Sequence, residues 1–384
     1  MRRSGHSNLP VLAVVAFLPL ASSQPLAREN GQWVRTISGS VPATARLRVN
    51  AHGPVTLEGG ASRNLTYTVK ITVSMRAVRT EAEARRRLQP YAVRVQQQGT
   101  WTVLTVPGGM AMAALAVKAP RLNAAVISTS EGAVRATGVE GSLDVDTRAG
   151  ELTADRIRGD CKLFTGGGAV VVGEVGGSLH CTTGAGMINV KTVRGQMVLG
   201  TNGGDIVAGS AGGSIRAETG GGGVHIGTAG GPVTAISGGG EIVVDDAKGV
   251  VTVRNMAGNV QVGSATGVRC DSGGGGIHVS NIAGPMRVST TMGSILASLL
   301  AGSLSESYLA TGNGDITVVI PSNVGVTIQA QNSMSDLRRI VSEFREIQTR
   351  RQGPVVVAQG SVNGGGPLVQ ILGMGGTIFI KRQR

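Results

Sequence analysis

The stretch TNGGDIVAGSAGGSIRAETGGGGVHIGTAGGPVTAISGGG (Thr201–Gly240) holds the pattern from which the fold can be read. Glycine recurs every ninth residue, at Gly204, Gly213, Gly222, Gly231 and Gly240. Two and four positions after each of the first four lie apolar pairs: Ile206 and Ala208, Ile215 and Ala217, Val224 and Ile226, Val233 and Ala235. A spacing of two puts both side chains on one face of a β-strand. Glycine supplies the bend between strands, where another residue would be strained at positive φ. Alternate half-units differ, so the true period is eighteen. One half-unit carries a further apolar residue, Ala211 or Ala229, and the other a hydroxyl, Thr201, Thr219 or Ser237.

The pattern extends in both directions. The ladder runs from Gly132 to Gly267 in steps of nine, loses one residue, and resumes at Gly275, Gly284, Gly293 and Gly302. The hydroxyl or amide column continues through Thr147, Thr165, Thr183, Asn255, Ser272 and Thr290, with Thr129 and Thr311 at its ends. Self-similarity at a fixed period marks a repeat architecture. The expected fold is all-β: a parallel β-solenoid with about 18 residues and two short strands per coil. Stacked strands lie about 4.8 Å apart, so roughly ten coils give a rod about 50 Å long. Aliphatic columns fill its interior. The Thr column is expected at a corner, each hydroxyl satisfying a buried backbone group of a turn. An outward Thr array for ice or ligand binding would need paired Thr-x-Thr steps on a flat face, and these are absent.

Composition agrees. The chain has 384 residues, 41% hydrophobic, with 61 glycines but only nine aromatic side chains. A single thick core would use more Phe, Tyr and Trp. The periodic Val, Ile and Leu exclude a disordered Gly-rich polymer.

Residues 1–23 read as a secretory signal. Arg2 and Arg3 precede LPVLAVVAFLPL, an apolar run of 12 that is too short to span a bilayer, and Ala21-Ser22-Ser23 supplies small residues before a cleavage ahead of Gln24. An uncleaved anchor is the alternative. No later segment is long and apolar enough for a membrane helix. Export to the periplasm, outer surface or extracellular space is therefore expected.

Residues 24–120 form a lead-in, 121–320 the repeats, and 321–384 the C-terminal capping strands. In the lead-in, Arg46 to Val49 and Val55 to Leu57 are short extended runs around the Gly53-Pro54 turn, and Leu65 to Met75 alternates as a longer strand. Thr80 and Glu83 make a capping box for one short helix over 81–89, stopped by Pro90. Tyr91 to Gln96 and Trp101 to Val106 form a hairpin across Gln98-Gly99. Past the ladder, Ala310 to Pro321 is a last repeat preceded by an insertion, and Val324 to Ala330 is a strand. Leu337, Ile340, Val341, Phe344 and Ile347 are spaced for an amphipathic helix. Two strands, Leu368 to Leu372 and Thr377 to Lys381, are expected to cap the open end of the stack.

This layout resembles a bacterial family known as putative adhesins of unknown function with short β-repeats. The carrying features are RLRVNAHGPVTLEGG, the TEAEARRRL insert, the TxGGG-containing repeats, GNGDITVVIPSNVGVTIQA and SVNGGGPLVQILGMGGTIFIK. The resemblance covers nearly all of the mature chain. It implies a single-chain β-solenoid of the cell envelope and an extended stretch over Arg338–Phe344. It brings no catalytic residues.

Ca²⁺-binding toxin repeats share the 18-residue coil but need an Asp in each turn. Here Asp205, Asp315 and Glu241 are isolated, so no metal is expected. His180, His225 and His278 fall on outward positions in different coils. Cys161 and Cys181 point inward, roughly 8 Å apart and beyond disulfide reach, and Cys270 lies several coils away. Sugar-cleaving β-helices need clustered carboxylates on one face. Asp144, Asp146 and Arg148 are the densest group, followed by Asp245-Asp246, and neither is reinforced from neighbouring coils. No nucleophile elbow, phosphate loop or zinc motif is present. No cofactor and no nucleic acid are expected.

Two surfaces remain. The outward column of the first strand in each coil includes Val171, Val207, Val243 and Leu296, mixed with Gly209, Gly227 and Gly263. It is either covered by another part of the chain or a contact face. Positive charge concentrates at the ends: residues 24–120 carry 13 basic and 4 acidic side chains, whereas 121–304 carry 13 and 14. That excess is either a solvated surface or a peripheral contact with anionic envelope polymers or lipid head groups. The functional expectation is a non-catalytic envelope protein, an adhesin or surface-binding or structural module, that meets a glycan or another envelope protein. The alternatives are an envelope-stress regulatory module acting through a protein partner, and a polysaccharide-acting β-helix enzyme.

Overall fold

A computed structural model describes residues 22–23, 25–60, 62–300, 304–334 and 336–383. The signal segment expected over 1–23 lies almost wholly outside the described residues. The chain is nearly all β, a parallel β-solenoid of about 18 residues per turn, with one short α-helix among the described residues. No helix among them is long and apolar enough to cross a membrane. The chain divides into two compact units, residues 1–164 and 165–384.

In the second unit each coil contributes a first strand, such as Val170–Val175, and a second strand, such as Leu179–Thr183. Strands one coil apart pair in parallel and in register, Ile206 with Val224 and Ile215 with Val233. Residues 206, 208 and 211 of the first strand and 215, 217 and 219 of the second are all buried. The interior is thus a set of vertical columns, each one side chain wide, which explains how a long chain folds with so few aromatic residues.

The expected corner column is present, and its geometry is specific. Thr219 Oγ1 donates to the carbonyl of Gly204 in the preceding coil (2.8 Å) and accepts from the N–H of Gly222 in its own turn (3.1 Å). Thr183, Thr201 and Ser237 repeat both bonds, to Gly168, Gly186 and Gly222 as acceptors. Asn255 donates through its amide to Gly240 O. Each hydroxyl therefore links two coils while satisfying two part-buried backbone groups.

The role of glycine at this corner differs in part from expectation. Gly132, Gly150, Gly258, Gly275, Gly293 and Gly314 do adopt positive φ. Gly186, Gly204, Gly222 and Gly240 do not. A Cβ on any of these four would overlap the carbonyl oxygen of the glycine one coil below. Close approach, and not backbone handedness, excludes other residues there.

Both ends of the chain depart from sequential stacking. In the first unit, Arg46–Ala51 and Val55–Gly59 form a coil flanked on one side by Ala124–Thr129 and Val134–Thr137. On its other side lie Trp101–Thr105 and Met112–Ala119. Parallel stacking thus begins within the lead-in. Between these coils the chain leaves the stack to make strand Asn64–Ser74, helix Glu81–Leu88 and strand Arg94–Gln98. Asn64–Ser74 pairs antiparallel with Met112–Ala119 and with Gln32–Pro42, which covers the end of the stack. Trp33 and Tyr67 are buried here, Trp33 donating from its indole N–H to Val78 O at 3.0 Å. The helix is capped by Thr80, whose hydroxyl accepts from Glu83 N. At its other end Arg35 donates to the carbonyl of Leu88 at 2.7 Å, placing a cation where the helix dipole favours one.

At the far end two expectations are corrected. The final strands do not cover the open end: Leu368–Gly373 lies between Ser307–Asn313 and Val326–Asn332, parallel to both. Ile378–Arg382 likewise pairs with Ile316–Ile320 and Ile340–Ser342. The end is covered by Val355–Val362, antiparallel to Val326–Asn332 and to Gln348–Gln352. The amphipathic helix over 337–347 is absent. A single 3₁₀ turn, Leu337–Arg339, leads into strand Ile340–Ser342, as the family resemblance implies. Ile340, Phe344 and Ile347 are buried, whereas Leu337 and Val341 are exposed, so only part of the apolar spacing faces the core. The unpaired edge of Ile378–Arg382 takes up this backbone as a strand, and Ser342 Oγ turns the chain by accepting from Phe344 N (3.0 Å).

Two outcomes follow from this architecture. Thr219→Val keeps the shape but leaves Gly204 O and Gly222 N without their bonds to the hydroxyl, and is expected to lower unfolding free energy by about 1–3 kcal/mol in a urea titration. Truncation after Gly366 removes both inserted strands and bares two facing sheet edges. Loss of soluble monomer on size-exclusion chromatography is expected, rather than a modest shift in stability.

Candidate functional site

The outward residues of the first strand in the second unit form one column, set by register. In order it reads Val171, Asn189, Val207, His225, Val243, Gln261, His278, Leu296. The structure thus places the four sequence-predicted residues on one face but does not bring them together. Polar side chains separate the three valines, leaving them roughly 10 Å apart at about 4.8 Å per coil. Val171 and Leu296 are 39% and 36% exposed, while Val207 and Val243 are half-buried by their neighbours. Beside this column runs a second, in which a Cβ on Gly209, Gly227 or Gly263 would meet the carbonyl of the coil below. The face is low at these three glycines, while Lys191 and Asp245 stand in the same row. Across it His225 Nε2 and Asp245 Oδ2 lie 3.1 Å apart, both exposed.

Two of the isolated turn carboxylates, Asp205 and Asp315, have structural uses. Asp205 Oδ1 accepts from Gly223 N and Asp315 Oδ1 from Thr377 N, both at 2.8 Å, each bond reaching the next coil. Asn259 and Ser294 do the same toward Gly276 and Asp315. Among the described residues no group of three or more His, Cys, Asp or Glu side chains is placed to hold a metal ion. Asp144 and Asp146 are exposed on the second-strand face of the first unit.

The first unit holds two features that the repeat pattern does not signal. One is a depression of about 330 Å³ lined by His52, Met110, Met112, Ser130 and Glu131 among others. His52 Nδ1 is 2.7 Å from Ser130 Oγ, on neighbouring corners 78 residues apart in sequence. The other is Trp101, which lies against Arg46 and Arg48. Alternation along Arg46 to Val49 was enough to put both arginines on one side of a strand. Nothing local connected them to a tryptophan more than fifty positions later. Several other basic residues of this region are already paired, Lys70 with Glu29, Lys118 with Glu58, Arg85 with Glu81 and Arg87 with Glu83.

No known family profile matches the sequence. No curated protein matches it either. Among solved structures, the chain is similar to a putative adhesin from Bacteroides fragilis, at 12% identity, covering 91% of this chain and 97% of that one, with a TM-score of 0.29. It is also similar to a putative cell adhesion protein from Clostridium sporogenes, at 9% identity, covering 95% and 100%, with a TM-score of 0.19. Likeness at this level does not transfer function.

The three cysteines are all buried thiols. Burial pushes the Cys181 and Cys270 thiols up to about 12, for Cys270 with a contribution from the neighbouring Asp271 charge. A raised thiol pKa means that the folded state holds its proton after the unfolded chain has lost it. Stability is therefore expected to be unaffected by these groups below pH 9, and to fall as pH rises from the ordinary thiol value of 9.0 toward 12. The slope should be shallower in Cys181→Ala, followed by chemical denaturation at stepped pH. A thiol reagent at pH 8 should label these two residues only after unfolding.

Proposed function

We propose that this chain is a non-catalytic, exported protein of the bacterial cell envelope that offers a rigid, repetitive surface to a glycan or to another envelope protein. The observation that carries the reading is the first-strand face of the second unit. The low row of Gly209, Gly227 and Gly263, broken by Asp245, runs beside the column of Val207, His225, Val243 and Gln261. Such a face suits an extended ligand, which can lie along it and meet both apolar contacts and hydrogen-bonding groups at a fixed repeat. In-register pairing holds these groups in place before binding, so little ordering is needed when a partner arrives. Asp144 and Asp146, the densest carboxylates of the repeats, stand exposed on a flat sheet where general-acid chemistry has no enclosing walls.

The test is binding of the purified mature chain to immobilised envelope glycans and to purified envelope proteins, beside a Val207→Lys/Val243→Lys variant. Wild-type capture by a glycan, reduced at least tenfold in the variant, is the expected outcome. Capture only by a protein that controls transcription or signalling would favour the regulatory alternative. Shortening of a polysaccharide during incubation would favour the enzyme.

A further inference from the structure

We propose that the second-strand face of the first unit carries a separate site for an acidic polysaccharide, built on Arg46, Arg48, Arg94 and Trp101. This goes beyond the first-strand face discussed above and does not depend on it. The sheet register assembles the site from three segments. Arg46 pairs with Trp101 and Arg48 with Val103. On the outer side, Gln98 pairs with Trp101, Gln96 with Val103 and Arg94 with Thr105. These positions alternate outward with the buried Leu47, Val95 and Leu104, so the arginines and glutamines share one solvated surface.

Trp101 organises the charges. The Arg48 guanidinium carbon lies 5.0 Å from the ring centroid and that of Arg46 lies 5.6 Å from it. One aromatic ring therefore draws two like charges to within about 6 Å of its centroid. No ion pair involves Arg46, Arg48 or Arg94 among the described residues, and all four acidic side chains of the lead-in are taken by other cations. Two adjacent guanidiniums repel each other, and the ring alone offsets this only in part. An anion bridging them relieves the repulsion. Because the ring already restricts both side chains, binding orders little that is not ordered beforehand.

The surroundings select the class of anion. Gln96 and Gln98 stand exposed at the rim, each with donor and acceptor groups suited to hydroxyls. Trp101 keeps part of its surface accessible. Cation, amide and aromatic surface within two strands match a sugar bearing a carboxylate. A membrane surface would call instead for protruding apolar anchors, and the outward Val103, Thr105 and Asn50 are short and half-buried. In the other direction the site is bounded. Val126 pairs with Arg48 and with Asp144, and Ser128 pairs with Asn50 and with Asp146. Those two carboxylates, two coils from the arginines, repel a polyanion that would extend along the stack. The ligand is thereby confined to the strands around Arg46–Ala51, running along them.

The experiment uses the mature chain with size-defined oligogalacturonate as probe, neutral dextran and phosphatidylglycerol vesicles as comparisons, and calorimetry with tryptophan emission as readouts. Trp33 is buried, so a change in emission on binding reports Trp101. Expected is salt-sensitive binding of oligogalacturonate with a Trp101 emission change, and none of dextran. Arg46→Gln/Arg48→Gln should weaken it at least tenfold, and Trp101→Leu severalfold, with an unchanged thermal midpoint for the arginine variant. Arg135→Gln/Arg287→Gln, which removes two cations elsewhere, should leave affinity unchanged. The proposal is overturned by absence of binding, by equal losses in the two arginine double variants, or by binding to the vesicles without binding to oligogalacturonate.

Discussion

The structure depends on one contact made over and over: a corner where the backbones of successive coils touch with no side chain between them. At Gly186, Gly204, Gly222 and Gly240 a Cβ would occupy the place of the carbonyl below. That same carbonyl accepts the hydroxyl of the next coil's Thr or Ser, which in turn accepts a corner N–H. Glycine makes the approach sterically allowed, and the hydroxyl supplies partners for the part-buried corner groups. Neither residue works without the other, which is why the two columns keep the same period.

A stack built this way has interchangeable middles and vulnerable ends. Parallel strands expose unpaired N–H and C=O groups wherever stacking stops. Each unit uses a related device. In the first unit a coil from residues 46–59 is sandwiched between 101–119 and 124–137, and antiparallel strands close over the outside. In the second unit the chain lays down 326–342 one coil too far out, makes its antiparallel cover, and returns to fill the gap with 368–382. Each end is thus held by contacts between segments far apart in sequence. The site proposed on Trp101 lies in such a region, where strands from segments outside the repeat lie side by side.

The solenoid was legible in the sequence. Period, strand pairing, inward columns and the Thr corner all follow from Gly204, Ile206, Ala208 and their equivalents, since each coil repeats the local problem of the last. The outward column was legible by the same period, since Val171, Val207 and Val243 lie 36 residues apart and Asn189 and His225 fall midway between them. The Trp101 site was not, because its strands come from segments outside the repeat. The helix expected over 337–347 failed for a tertiary reason: the apolar spacing is satisfied by a strand and a turn once Ile378–Arg382 offers a free edge.

By itself, then, the sequence determined everything that recurs, because a repeat writes its neighbour contacts into a short period. What only the tertiary structure decided is what does not recur. The partners of Arg46 and Arg48, the proximity of His52 to Ser130, and the intercalation of the last coil all join residues tens of positions apart. Such contacts leave no local signature, since the alternation of a strand states which way a side chain points and never which strand will lie beside it.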